Sequence, residues 1–223
     1  MRKTEFANGE YYHIYNRGVD KREVFLDKKD YERFILGMSL LNDEKDGLML
    51  IWRDLHKNGI AELPKVQPLA SQRLNLRKPI VSIIAYCLNP NHYHFIVKQE
   101  QNNGIVKFMQ KVGTSYTMYF NKKTKRSGAL FQGRFKSIHI DSNEYLLLLS
   151  AYVNVNHEIH GFSEKDWPYS SFLDYTGKRE GKLCNKEIIL GQFDNNFDEY
   201  EKYIKNNADY FKDKKELEEY ILE

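Results

Sequence analysis

Nineteen residues near the middle of the chain, Ile80 to Lys98, restrict the fold more than any other stretch. Ile80 to Leu88 is an apolar, β-prone run. Asn89-Pro90-Asn91 breaks it, and His92 to Lys98 is a second such run. Two runs across a short break read as an antiparallel hairpin. Around it, Tyr11 to Asn16 is aromatic and reads as an opening strand closed by Arg17-Gly18. Asp27 is placed to cap a helix whose Tyr31, Phe34, Ile35, Met38 and Leu41 recur at helical spacing. Gly104 to Asn121 repeats that pattern with Ile105, Phe108, Met109, Val112, Tyr116 and Phe120, and a basic loop, Lys122–Gly128, ends it. Gly133 to Ile140 alternates as a strand, and Asp141 with Glu144 has the capping-box spacing for a helix running to about Asn156. Two strand–helix units around a hairpin predict an α+β fold, a ferredoxin-like antiparallel sheet with helices on one face.

This core accounts for residues 1–162, with a polar surface insertion at about 55–79. Residues 163–223 form an acidic, partly helical C-terminal extension anchored by Trp167-Pro168-Tyr169. No stretch of the 223 residues is apolar for long enough to span a bilayer, and the first residues have no apolar segment of signal-peptide type, so a cytoplasmic protein is expected. Cys87 and Cys184 are too few for a disulfide framework or a CxxC metal site and read as packing residues. The net charge of +3 says little, but its distribution says more. Between Lys107 and Ile140 eight Lys and Arg meet no acid, whereas Asp194 to Glu223 carries ten acids and five lysines. A basic face of that kind suits phosphates, although a lysine run is also what a solvated surface looks like.

His92 and His94 stand at i and i+2 on a strand, so both imidazoles leave the sheet on one side and can share a cation. Two histidines alone also occur incidentally. The second constellation is Tyr152 and Asn156, one helical turn apart. An asparagine carbonyl is a hard oxygen ligand for Mg²⁺ or Mn²⁺, and a tyrosine one turn away is placed to attack what the metal polarises. Tyr152 also continues the apolar stripe of Tyr145, Leu148 and Leu149, where it would be core. Three tyrosines have Asn or Gln four residues on: Tyr12, Tyr152 and Tyr203. Tyr12 is on a strand, where the spacing separates the pair, and Tyr203 is in the acidic tail, which leaves Tyr152.

The run Ala85-Tyr86-Cys87-Leu88-Asn89-Pro90-Asn91-His92-Tyr93-His94-Phe95-Ile96-Val97 resembles the HUH motif of single-tyrosine transposases, two histidines flanking a bulky residue after a turn. Gly128 to Ser137 is similar to a basic segment of that family, Tyr152 to Asn156 to its nucleophile helix, Tyr12 to Gly18 to its opening strand, and Asp166 to Ser171 to a segment after the helix. The likeness is greatest to the REP-associated tyrosine transposases. The five segments are collinear over Tyr11 to Ser171. Where relatives usually have proline after the helix asparagine this chain has His157, which competes with Asn156 as third ligand.

The resemblance implies a transposase that cleaves single-stranded DNA, with hairpin or repeat ends as substrate. A divalent cation, Mg²⁺ or Mn²⁺, would be held by His92, His94 and Asn156. Tyr152 would attack the phosphate, giving a 5′-phosphotyrosyl link and a free 3′-OH. Lys122, Lys123, Arg126, Arg134 and Lys136 are candidates for following the DNA backbone, with Arg17 and Gln132 as further contacts. His13 and His139 read as structural or surface histidines rather than ligands. Two other readings remain: a non-catalytic single-strand-binding module, and an HUH nickase that initiates replication or plasmid transfer. The latter usually carries further domains, and no Walker-type GxxxxGK[ST] segment is present here. No membrane partner is expected, and homodimerisation is common in the family.

Overall fold

The computed structural model describes residues 5–45, 47, 78–162 and 167–213. Nearly all of the insertion expected at 55–79 lies outside the described residues, as does Asp166. Four strands, β1 (Tyr11–Arg17), β2 (Val81–Asn89), β3 (His92–Gln99) and β4 (Lys136–Ile140), form one antiparallel sheet in the order β2-β3-β1-β4. Helix α1 (Lys28–Leu40) joins β1 to β2, and α2 (Gly104–Thr124) joins β3 to β4. This is the split βαβ arrangement of a ferredoxin-like fold, as expected.

Asp27 caps α1, its Oδ1 accepting from the Asp30 amide at 3.2 Å. α2 begins on Gly104 because a Cβ there would collide with the Ile80 carbonyl oxygen. It ends on Lys125, which is left-handed at φ 53°. Both helices cover one face of the sheet, where Phe34 meets Tyr93 and Phe95 at ring separations of 5.6 and 6.2 Å.

The expectation of helices on one face is corrected by the opposite side. There α3 (Asn143–Asn154) packs against β2 and β3 and α4 (Asn156–Ile159) against β2, and the long C-terminal helix covers α3 and α4. The reason is legible in the strands: nearly every residue of β2 and β3 is buried, so both faces need cover. Two local expectations also shift. Ser142, not Asp141, caps α3, its Oγ accepting from Tyr145 N at 3.2 Å. β4 starts at Lys136 rather than Gly133, which adopts φ 58° and turns the chain.

The C-terminal extension contributes α5 (Phe172–Tyr175), α6 (Glu187–Leu190) and α7 (Phe197–Asp213), and shares one hydrophobic core with the rest. Residues 169–171 run along the outer edge of β2, with Leu88 N donating to Tyr169 O at 2.9 Å and Ser171 N to Tyr86 O at 2.8 Å. Trp167 Nε1 donates to Leu88 O at 3.0 Å. On α7, the Tyr200 hydroxyl lies 2.9 Å from Ser150 Oγ and accepts from Asn154 Nδ2 at 2.9 Å, which fixes α7 to α3. No helix among the described residues is long and apolar enough to cross a membrane.

Candidate active site

Alternation along β3 sends His92 and His94 to the α3 side and Tyr93 to the other. Cross-strand pairing then sets their neighbours. On β1, Arg17 is opposite His92 and Tyr15 opposite His94; on β2, Asn89 is opposite His92 and Cys87 opposite His94. The two imidazoles stand nearly perpendicular with ring centroids 5.2 Å apart, and both are almost fully buried.

Each imidazole is oriented from behind. His92 Nδ1 lies 2.5 Å from Asn91 Oδ1, an atom that can only accept, while Asn91 Nδ2 donates to Lys21 O at 3.3 Å. The proton of neutral His92 is therefore on Nδ1, and Nε2 presents a lone pair. That lone pair faces Asn156 Oδ1 at 3.2 Å, and Asn89 Nδ2 donates to both, at 2.8 Å to His92 and 2.5 Å to Asn156. His94 Nδ1 is 2.9 Å from His13 Nε2, and His94 Nε2 is buried with no hydrogen-bond partner. Burial holds His92 and His94 well below the usual histidine range, reinforced for His92 by His160 and Arg17 and for His94 by His13 and His92. Burial pushes His13 down to about 3. The cluster is thus neutral near pH 7, the form in which imidazole binds a metal.

Tyr152 from α3 lies over the cluster, its ring 5.7 Å from that of His94 and 6.5 Å from that of His13. Phe211 of α7 packs on its other side at 5.5 Å, and the tyrosine is 6% exposed. The helix expected to continue to Asn156 breaks at Val155 (φ −106°, ψ 13°), so Asn156 opens α4 and still turns its side chain toward the histidines. His157 points elsewhere: it stacks on Trp167 at 6.0 Å, with its pKa lowered by burial to about 4. Of the two competing residues, Asn156 is the one beside His92.

The other candidates divide. Arg17 is 9% exposed on the histidine face, and its Nε makes no hydrogen bond. Lys122, Gln132, Arg134 and Lys136 are exposed. Lys123 does not present a free cation: its Nζ is held by Asp30 Oδ1 at 2.5 Å and Asp27 Oδ2 at 2.9 Å. Arg126 closes its own loop, donating to Asn121 Oδ1 at 2.5 Å and Ala129 O at 2.8 Å. His139 pairs with Glu10 at 2.9 Å, away from the cluster. Tyr203 lies on α7 against Phe193, and Tyr116 donates its hydroxyl proton to Val24 O at 2.5 Å within the α1–α2 core.

Four residues escaped the sequence reading. From sequence His13 reads as structural, and Asn89 and Asn91 read only as turn residues. His160, whose ring is 4.5 Å from that of His92, carries a usable signal: it stands four residues beyond Asn156, one more turn along the same spacing.

Comparison with known proteins gives three results. Residues 73–156 match the family model described as "Transposase IS200 like". No curated protein matches the chain. A solved structure of a REP-associated tyrosine transposase bound to a REP hairpin is 14% identical, covering 80% of this chain and 86% of that one, with a TM-score of 0.49. The family resembled by the histidine motif is also the one whose model matches, and the matched segment, which carries β2, β3, α2, β4, α3 and Asn156, is similar to IS200-like transposases.

Proposed function

We propose that the protein is a transposase acting on single-stranded DNA, with Tyr152 as nucleophile and a divalent cation, Mg²⁺ or Mn²⁺, held by His92, His94 and Asn156. The observation that carries this reading is the convergence, beside Tyr152, of buried acceptor groups: the His92 lone pair facing Asn156 Oδ1 at 3.2 Å, and the partnerless Nε2 of His94. Such a donor set, two imidazoles and an amide oxygen, fits a cation of this class.

When bound, the cation supplies Lewis-acid polarisation of a non-bridging phosphate oxygen. The chain's own residues do the rest. Asn91 fixes the tautomer and orientation of His92, and His13 orients the His94 ring. Arg17, with a free Nε on the histidine face, neutralises phosphate charge. Tyr152 gives up its phenolic proton to solvent and its oxygen attacks phosphorus. The bond to the 3′ oxygen breaks, the DNA remains attached as a 5′-phosphotyrosyl ester, and the 3′ oxygen takes a proton from solvent. A 3′-OH of another strand reverses the step, exchanging one phosphoester for another and so transferring the strand without an external energy source.

The test is incubation of labelled single-stranded hairpin DNA, drawn from repeats flanking the gene, with Mn²⁺ or Mg²⁺ and either the wild type or Tyr152→Phe. The expected result is a denaturation-resistant adduct that requires metal and is lost in the variant. Binding without an adduct across such substrates overturns the enzymatic reading in favour of a binding module.

A further inference from the structure

A groove of about 680 Å³ opens on the face of the sheet opposite the histidines, between α2 and the loop of residues 129–135 that leads into β4. That volume lies within the roughly 300–1,000 Å³ of small-molecule sites. Its floor is polar: Asn16 and Tyr93, opposite each other on β1 and β3, are 7% and 3% exposed, and Asn16 Nδ2 donates to Gly133 O at 3.5 Å. Its walls are Met109 and Phe131, and its rim carries Phe135 and Arg134. The α2 side is kept open by a small residue: a Cβ on Gly113 would meet nothing within 4 Å.

Charge selects the occupant. None of the lining residues is acidic, and all but Asn16 and Tyr93 come from the part of the chain around α2 and β4, whose sequence between Lys107 and Ile140 has eight basic residues and no acid, Lys123 among them being paired with the acids of another segment, Asp27 and Asp30. An apolar, ring-bearing slot with a polar floor and a cationic rim matches an unpaired base on a phosphate backbone. The loop that walls the groove is also joined to the end of β1, the strand that carries Arg17. Gln132 N donates to Arg17 O at 2.8 Å and Phe131 bridges to Gly18, so the loop that walls the groove also abuts the arginine on the histidine face.

We propose that this groove is a base-binding subsite that takes unpaired nucleobases of single-stranded DNA flanking the cleaved phosphate, with Arg134 on an adjoining phosphate. The proposal rests on the single-stranded DNA reading above and adds where bases are read.

The experiment uses the full-length protein in EDTA, so that no cleavage is involved. Binding of fluorescein-labelled dT20 and of an abasic 20-mer is followed by anisotropy for wild type, Gly113→Ala and Gly113→Phe. Wild type is expected to prefer dT20. Gly113→Phe, which fills the groove without altering charge, should weaken dT20 binding at least about fivefold and leave the abasic oligomer unchanged, whereas Gly113→Ala behaves as wild type. Equal wild-type binding of both oligomers, or dT20 binding that Gly113→Phe leaves intact, overturns the proposal. A change of oligomeric state in Gly113→Phe with DNA binding intact also overturns it and assigns the groove to a second copy of the chain. The adduct assay fails or succeeds independently: an adduct with no base preference removes the subsite alone, and base preference without an adduct removes the transposase reading alone.

Discussion

His92 Nε2 and Asn156 Oδ1 face each other across 3.2 Å with no hydrogen atom between them, and Asn89 Nδ2 serves both. The amide occupies the point at which the lone pairs of two of the residues proposed to hold the cation converge. Asn89→Ala leaves both acceptors buried and unserved without metal, at a cost of roughly 1–3 kcal/mol. The melting temperature in EDTA should fall by several degrees, at about 2–4 °C per kcal/mol. Mn²⁺ should then raise it more in the variant than in wild type. Equal Mn²⁺-induced shifts would show that the two acceptors do not meet on the metal.

His13 stands behind His94, its Nε2 2.9 Å from Nδ1. With His13 Nε2 as the acceptor of the Nδ1 proton, the tautomer that metal ligation requires, Nε2 of His94 is the ligating lone pair. His13→Ala should weaken Mn²⁺ binding about 10–100-fold, measured from the free-ion electron spin resonance signal, while His139→Ala changes nothing. An unaltered affinity in His13→Ala would remove its orienting role.

Neighbouring lysines should part company under mutation. Lys123 neutralises Asp30, which is fully buried and also accepts from Leu26 N and Tyr119 Oη at 2.9 Å each. Lys123→Ala should therefore cost roughly 1–3 kcal/mol in urea denaturation. Lys122→Ala should leave stability unchanged and reduce the salt dependence of single-stranded DNA binding by about 0.7 in log–log slope, the value for one phosphate contact. The reverse pattern would return Lys123 to the DNA-binding set.

Acid should destabilise the metal-free protein early. His13, His92, His94 and His157 all have pKa values lowered by burial, His13 to about 3 and His157 to about 4, from 6.5. Between pH 6.5 and 4 the unfolded chain takes up protons that the folded chain refuses. Their contribution is thus complete above pH 6.5 and is lost as pH falls, by at most about 1.4 kcal/mol per histidine per pH unit. Urea midpoints in EDTA at pH 7.5, 6 and 5 should decline progressively. A flat profile would mean that water reaches these rings.

What could be read from the sequence is what is local. The hairpin followed from two β-prone runs across Asn89-Pro90-Asn91, and the shared face of His92 and His94 from strand alternation. The relation of His13 to His94 was hidden because it depends on the register of β1 against β3, which no periodicity within one strand reports. Lys123 looked like its neighbours because Asp30, which holds it, is 93 residues away. The second layer of helices escaped for a related reason. Tyr200 and Phe211 lie in an acidic, polar stretch, and only the docked helix shows that their rings face α3.

The strand-like segment 169–171 along β2 also bears on how copies of the chain could meet. It occupies the hydrogen-bonding edge of β2, so among the described residues β4 is the border strand with no further strand-like segment beside it. A sheet that can be extended from one side only cannot propagate. Two copies joined edge to edge through β4 form a closed two-fold pair with both outer borders sealed, so association through the sheet stops at a dimer and has no route to a fibre.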